Sequence, residues 1–266
     1  MRISIIGTGN MGGAIASALS SAGFDTEVYD SVQEKAEALR DQNENIRVLS
    51  SLEMTSGSDA IIIAVKPQVL PSLYDALREV DTRLWISIAA GVPLSVLEDH
   101  LGSGNVIRFM PNIAAKARKS VTAIAAGDSV STEERDLAFA IASSFGTAYF
   151  LPESLFPAFI GISGSGIAFY FEMMHQMAMA GVREGIPYPE ALKIVSDTAE
   201  SAAALQKESG TNAIELETRV CSAAGTTIEG IRALQDRGFA SAIIKAVGSA
   251  AAKSVELENK ARYGER

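Results

Sequence analysis

Short apolar runs alternate with amphipathic stretches along the first half of the chain. β-Branched runs fall at residues 3–6, 26–29, 46–49, 60–65, 84–89, 106–110, 121–126 and 148–150. Between most of them the apolar spacing becomes helical, as at 34–42 and 69–79. Runs this short and continuous predict buried strands. Strands separated by helices predict an α/β fold with a doubly wound, mostly parallel sheet. Beyond Pro157 the strand signal vanishes. One long apolar helical stretch covers 161–185, and helices are expected at 189–208, 226–236 and 239–260. The chain therefore divides into an α/β domain over 1–156 and an all-helical domain over 157–266.

The helices of the second half are apolar on too many faces. Phe169, Phe171, Met173, Met174, Met177 and Met179 crowd one of them, and Phe239, Ala240, Ala242, Ile243 and Ile244 open the last. A helix apolar nearly all round must be covered on several sides. A domain of about a hundred residues has too little interior to cover them alone. The economical solution is a homodimer of intertwined helices, or a higher homo-oligomer built from dimers. The alternative is a self-contained bundle packed only on the sheet domain.

Composition narrows the partners. With 266 residues, 47% hydrophobic content and a net charge of −9, the chain suits a globular cytoplasmic protein rather than one that binds a phosphate backbone. No uninterrupted apolar run approaches the ~20 residues of a membrane span, and the N-terminus does not read as a signal peptide. No membrane or nucleic-acid partner is therefore expected. Cys221 is the single cysteine, which excludes an internal disulfide. His100 and His175 are far apart in the sequence and read as surface or packing residues, so no metal site is expected.

The most specific local feature follows the first strand. Gly7-Thr8-Gly9-Asn10-Met11-Gly12 joins a β-branched run to an Ala- and Leu-rich helix. This is a Rossmann-like arrangement. Gly7 allows the turn, Gly9 lets the backbone approach a pyrophosphate, and Gly12 lets helix and strand pack closely. The helix N-terminus offers N–H groups and a positive dipole end to the anion. Asp30 ends the second strand, near the expected ~20-residue spacing for an acid that holds the ribose 2′-OH. No basic residue follows at Ser31, Val32 or Gln33, so NADH is expected to be at least competitive with NADPH. Alternatively Asp30 caps the following helix.

Further blocks carry a resemblance that spans almost the whole chain. They are Ala64-Val65-Lys66-Pro67-Gln68, then Ile86-Ser87-Ile88-Ala89-Ala90-Gly91-Val92, then Val106-Ile107-Arg108-Phe109-Met110-Pro111-Asn112. Ser163-Gly164-Ser165-Gly166 opens the long helix and Ala180-Gly181-Val182-Arg183-Glu184-Gly185 closes it. The last block runs from Val220-Cys221-Ser222-Ala223-Ala224-Gly225 to Thr226-Thr227-Ile228-Glu229-Gly230. In this order they resemble pyrroline-5-carboxylate reductase, the enzyme that completes proline biosynthesis. The resemblance implies NAD(P)H-dependent reduction of 1-pyrroline-5-carboxylate to L-proline. It implies a helical dimerisation domain after the Rossmann-like sheet.

The resemblance also distributes roles. Gly7, Thr8, Gly9, Asn10, Met11, Gly12, Asp30, Ala64, Val65, Lys66, Pro67, Ala89, Ala90, Gly91 and Asn112 are expected at the cofactor. Ser222, Gly225, Thr226 and Thr227 are expected at the imino-acid substrate, with Thr227 hydrogen-bonding the imine nitrogen as the catalytic group. A bare reading would make Ser222, Thr226 and Thr227 helix caps and Lys66 a solvated loop charge. The Ser-Gly-Ser-Gly segment either faces the nicotinamide or only packs closely. Cys221 is read as a small buried residue, since imine reduction needs no nucleophile.

The chain departs from the family pattern at loop–helix junctions. Ile113-Ala114 stands where the family usually has Thr-Pro, Ile167 where it has Pro, and Ala223-Ala224-Gly225 where it has Pro-Gly-Gly. Such prolines would stiffen the loops. Their loss bears on pocket shape and so on the substrate. Another cyclic imino acid or a small hydroxy acid is the alternative substrate, and a non-catalytic nucleotide sensor the alternative function. A hydroxy-acid dehydrogenase would want a lysine within the long helix, and residues 161–184 contain none.

Overall fold

The computed structural model describes residues 1–264. The α/β part runs β1 (Arg2–Ile6), α1 (Asn10–Ser21), β2 (Asp25–Tyr29), α2 (Gln33–Gln42), β3 (Ile46–Val48) and β4 (Ala60–Ile63). It continues with α3 (Tyr74–Arg78), β5 (Trp85–Ser87), α4 (Leu94–Leu101), β6 (Val106–Met110), β7 (Ser120–Ala126), α5 (Thr132–Ser144) and β8 (Gly146–Phe150). The strands form one sheet in the order β3-β2-β1-β4-β5-β6-β7-β8. Every pairing is parallel except β6 with β7. Strand order reverses between β1 and β4, and crevices that hold ligands open at such points.

Alternation along the strands feeds two cores, one on each face. Ile3 and Ile5 of β1 with Ile62 of β4 join the first, with Ile15 and Leu19 of α1. Ile6, Ile61 and Ile63 join the second, with Trp85, Leu97 and Phe156. Residues 60–63 are buried throughout, as a strand covered on both faces must be. The stretch 69–79 divides into a 3₁₀ turn, Leu70–Ser72, and the short α3.

Helices follow as α6 (Phe156–Phe159), α7 (Gly166–Arg183), α8 (Tyr188–Ser209), α9 (Ala213–Val220), α10 (Thr226–Asp236) and α11 (Phe239–Tyr263). A π-helical stretch, Ile160–Gly164, joins α6 to α7. The segment Glu153–Arg183 is thus helical over 31 residues, and an 18-residue window within it, with a mean hydropathy of 1.4, is apolar enough for a membrane span by length and composition. The segment is long and helical, but Ser, Gly and Glu residues break its apolar sequence, so it is no uninterrupted apolar run. Glu172 and His175 interrupt the apolar run without interrupting the helix. The short α9 has no counterpart in the sequence reading. Its signal was Asn212, whose side chain accepts from the Ile214 N–H at 2.9 Å.

The chain forms two compact units, Met1–Gly164 with the stretch from Ser249 onward, and Ser165–Gly248. The division therefore falls after 164 rather than 156, and the C-terminal stretch returns to the sheet unit. Two contacts explain this. Phe156 and Phe159 are buried in the second core of the sheet, and Arg108 of β6 pairs with Glu258 of α11. Residues 265 and 266 of the expected helical domain lie outside the described residues.

The second unit has little interior of its own. α7 and α8 pack around the buried Ala178 and Ala191. Phe171, Ile214 and Ile244 are 57%, 69% and 74% exposed. Large apolar residues in this number on a single chain mark an interaction surface.

Candidate cofactor and substrate sites

The glycine turn is built as the spacing requires. Gly7 has φ +100°, a conformation that L side chains rarely adopt. Its N–H donates to the Tyr29 carbonyl at 2.7 Å, and the Ala64 N–H donates to the Ile6 carbonyl at 2.8 Å. The ends of β1, β2 and β4 are thereby gathered at the switch point. Gly12 is the close contact: a Cβ there would stand 1.9 Å from the Gly7 carbonyl oxygen. A Cβ on Gly9 would meet nothing within 4 Å. The space beside Gly9 is open, as close approach of a ligand requires. Gly9 is also the N-cap of α1 and no side chain caps it. The positive end of the helix therefore remains available to an anion. Asn10 is exposed, Met11 partly so, and the Asn10 Oδ1 accepts from Lys116 Nζ at 3.2 Å. These features fit a dinucleotide pyrophosphate.

Asp30 does more than either sequence reading proposed. Its Oδ2 accepts from both the N–H and the hydroxyl of Thr8, at 2.7 and 2.9 Å. Its Oδ1 accepts from the Val32 N–H at 3.0 Å. The carboxylate therefore straps the glycine turn to the end of β2. It is not the N-cap of α2, a position taken by Val32 without a side-chain bond. Burial acts to raise the Asp30 pKa. The Thr8 and Val32 N–H bonds, the Thr8 hydroxyl and the charge of Lys35 outweigh it, so the pKa lies below its ordinary value. The strap is therefore charged and intact at neutral pH, and it is lost as pH falls through the acidic range.

The other residues expected at the cofactor lie at the ends of neighbouring strands. Ala64 and Val65 lie in the turn beyond β4, followed by exposed Lys66 and partly buried Pro67. Past β5, Ala89 and Gly91 are buried and Ala90 is exposed. Asn112, expected at the cofactor, is only 6% exposed. Its Oδ1 accepts from the Ala114 N–H at 3.1 Å and its Nδ2 donates to the Ser163 Oγ at 3.2 Å. Its side chain is engaged inside the protein and holds the 3₁₀ turn Ile113–Ala117 to the π-helical stretch.

The block expected at the substrate lies in the other unit. α10 starts at Thr226 with Gly225 as N-cap and no side-chain bond. The hydroxyls of Ser222, Thr226 and Thr227 therefore do not cap it. Gly225 packs on Ser222, whose Oγ would stand 2.2 Å from a Cβ at 225, and its N–H donates to the Ser222 carbonyl at 3.0 Å. Ala224 takes φ +55°, a strained conformation for a residue with a Cβ. This is the position where the family pattern has glycine. Ser222 and Thr226 are exposed and Thr227 is partly buried. Cys221 is partly exposed rather than buried, because it follows the last turn of α9.

One charged group escaped the sequence reading. Arg108, in the middle of β6, is fully buried. Its Nη1 lies 2.9 Å from Glu153 Oε1 and its Nη2 2.9 Å from Glu258 Oε1. Its guanidinium carbon stands 4.8 Å from the Phe156 ring centroid. An arginine at an interior position of a buried strand was the available signal. The histidines follow expectation. His100 stacks on Tyr74 at 4.1 Å, and His175 shares a 3.0 Å hydrogen bond with the Tyr188 hydroxyl.

Comparison with known proteins agrees with these features. Residues 153–257 match the family described as pyrroline-5-carboxylate reductase dimerisation, which indicates homo-oligomerisation. Residues 2–91 match the family described as NADP oxidoreductase, coenzyme F420-dependent. The pyrroline-5-carboxylate reductase of Methanosarcina acetivorans is 40% identical over 266 residues, covering 97% of this chain and 98% of that one. The Aquifex aeolicus protein of the same name is 35% identical over 97% of each chain. The crystal structure of 1-pyrroline-5-carboxylate reductase from Streptococcus pyogenes superposes with a TM-score of 0.85 at 29% identity, covering 96% of this chain and 98% of that one. On sequence, fold and domain pairing together, the chain belongs to the pyrroline-5-carboxylate reductase family.

Proposed function

We propose that the protein reduces 1-pyrroline-5-carboxylate to L-proline with NAD(P)H, the last step of proline biosynthesis. The observation that carries this reading is a likeness to a pyrroline-5-carboxylate reductase over nearly the full length of the chain. A bound reduced nicotinamide supplies a hydride for the imine carbon. The chain's own residues do the remainder. Gly7, Thr8, Gly9, Asn10, Met11 and Gly12 hold the pyrophosphate on the N-terminus of α1. Asp30 faces the ribose, with Oδ1 bearing a single protein hydrogen bond. Ala64, Val65, Lys66, Pro67, Ala89, Ala90 and Gly91 flank the rest of the dinucleotide. Ser222 and Thr226 offer hydroxyls, and Gly225 opens the start of α10, to the substrate carboxylate. Thr227 hydrogen-bonds the imine nitrogen, which takes its proton through Thr227 or from solvent, and keeps the imine carbon electrophilic.

The direct test is cofactor oxidation with 1-pyrroline-5-carboxylate, with both reduced cofactors and at high enzyme concentration. Turnover is expected, and no oxidation above background would overturn the assignment. Thr227→Ala is expected to lower kcat/KM by about 1–3 kcal/mol, the scale of a hydrogen bond to a charged partner. Cofactor affinity should be unchanged in that variant. Full activity would move the proton role to solvent or Ser222.

NADH is expected to be at least competitive with NADPH. A carboxylate repels a 2′-phosphate, and Ser31, Val32 and Gln33 bring no cation. Comparing kcat/KM for both cofactors in wild type and Asp30→Ser checks this. A strong NADPH preference untouched by the substitution would leave Asp30 as a strap alone.

The working form is a homodimer or a larger assembly of dimers, with the exposed faces of α7 to α11 covered by another copy. Ile244 is 74% exposed, so Ile244→Glu burdens the folding of the single chain little. Light scattering should show a dimer or larger for wild type and a smaller species for the variant. A monomeric, active wild type would refute the assembly. The protein is expected to be cytoplasmic.

A further inference from the structure

We propose that the end of α11 braces the nicotinamide side of the cofactor site, with Leu257 and Glu258 as positioning residues. The inference rests on the reading of residues 89–91 as a cofactor turn. Two independent contacts converge on it. The first is at Gly91, which is buried and takes φ +75°. A Cβ there would stand 3.0 Å from Leu257 Cβ, so α11 backs the turn directly. The second is on the adjacent strand. Ser87, the last residue of β5, is in register with Arg108 of β6. Arg108 is fully buried and needs its charge balanced on both amino groups. Glu153 balances one and Glu258 the other, at 2.9 Å each.

The Glu258 contact is the more sensitive of the two. Arg108 Nη2 and Glu258 Oε1 are close enough for an ion pair but lack an aligned hydrogen bond, and both atoms are buried. A shift of α11 would leave buried charge uncompensated beside the ends of β5 and β6. Those ends lie on the carboxyl side of the parallel strands, where ligands bind. The brace is also one end of a continuous helix. α11 begins with the exposed apolar Phe239 and Ile244, and the dimerisation match runs along it to residue 257. A rigid helix passes displacement along its length more readily than a loop does.

The test compares binding of the intact cofactor with binding of a fragment lacking the nicotinamide. Calorimetric Kd values are measured for the tighter-bound of NADH and NADPH and for ADP-ribose. Glu258→Gln removes the charge and keeps the shape. Leu257→Gly removes the atom that backs Gly91. Val255→Gly is its control for lost helix propensity, since Val255 is 44% exposed. Ser254→Ala removes a buried hydroxyl that has no hydrogen-bond partner among the described residues and is the control for Glu258. Thermal melting checks the fold of each, and Leu257→Gly keeps the test open if Glu258→Gln does not fold. Glu258→Gln and Leu257→Gly are expected to weaken the intact cofactor about five-fold and ADP-ribose less than about two-fold. Both controls should bind like wild type. Equal weakening of both ligands, or no weakening of either, would overturn the brace. A wild-type protein that binds ADP-ribose but gains nothing from the nicotinamide would overturn it too. Failure of wild type to bind any of them would bring down the cofactor reading itself, and the brace with it.

Discussion

Gly9→Ala should melt like the wild type and lose dinucleotide binding by more than about tenfold. The two effects separate because of what surrounds Gly9. Its φ of −64° suits any L-residue, and a Cβ there meets no protein atom within 4 Å. Replacing glycine at a compatible position even restricts the unfolded chain, by about 0.4–1 kcal/mol. The open space is the one a pyrophosphate would enter, so the methyl group obstructs the ligand alone. Gly12→Ala makes the opposite comparison. Its Cβ would fall 1.9 Å from the Gly7 carbonyl oxygen and 2.9 Å from Ala64 Cβ. The start of α1 must lift away from β1 and β4, and overpacking of this kind costs about 1–3 kcal/mol or more. Both stability and cofactor binding should therefore fall. Melting curves and cofactor titrations on the two variants check the pair. A Gly9→Ala protein with ordinary affinity would show that the pyrophosphate does not lie on this turn.

Glu153→Ala is expected to destabilise the fold by about 3–5 kcal/mol, because it leaves a buried arginine half-compensated. Glu153 Oε1 accepts from Arg108 Nη1 at 2.9 Å and from the Leu94 N–H at 2.7 Å. One truncation thus unpairs a buried cation and the N–H at the first turn of α4. For a chain of this size, that loss lowers Tm by roughly 10 °C. Adding Arg108→Met removes the stranded charge and should recover part of the loss. Denaturant unfolding of the single and double variants measures this. A single-variant cost below about 1 kcal/mol would mean that water reaches Arg108.

Homo-oligomerisation connects these local effects to the whole assembly. The second unit buries little on its own chain, so its helices depend on a partner surface. The 31-residue helical segment Glu153–Arg183 is apolar enough for lipid, yet it falls within the dimerisation match. The same composition serves either environment, since both offer an apolar surface in place of water.

Much of this was decided by local rules that the sequence displays. Alternation of short β-branched runs with helical spacing determined the doubly wound sheet, because burial on two faces demands continuous apolar strands. The glycine spacing from Gly7 to Gly12 determined the tight turn between β1 and α1, because φ and the missing Cβ are properties of single residues. The crowding of Phe169 to Met179 determined that the helices need a partner. Tertiary structure decided what depends on residues distant in the chain. Asp30 reads as a ribose contact or a cap, and only the fold shows that across 22 positions it also straps Thr8. Asn112 reads as a cofactor contact, and only the fold shows that across 51 positions its side chain holds Ser163. Arg108 is one charge in an apolar strand until Glu153 and Glu258 arrive from elements that periodicity alone cannot dock. The division after 164 and the return of the stretch from Ser249 to the sheet unit have the same cause. Hydrogen bonds, ion pairs and packing act between atoms that folding brings together, and their partners are written nowhere in the local pattern.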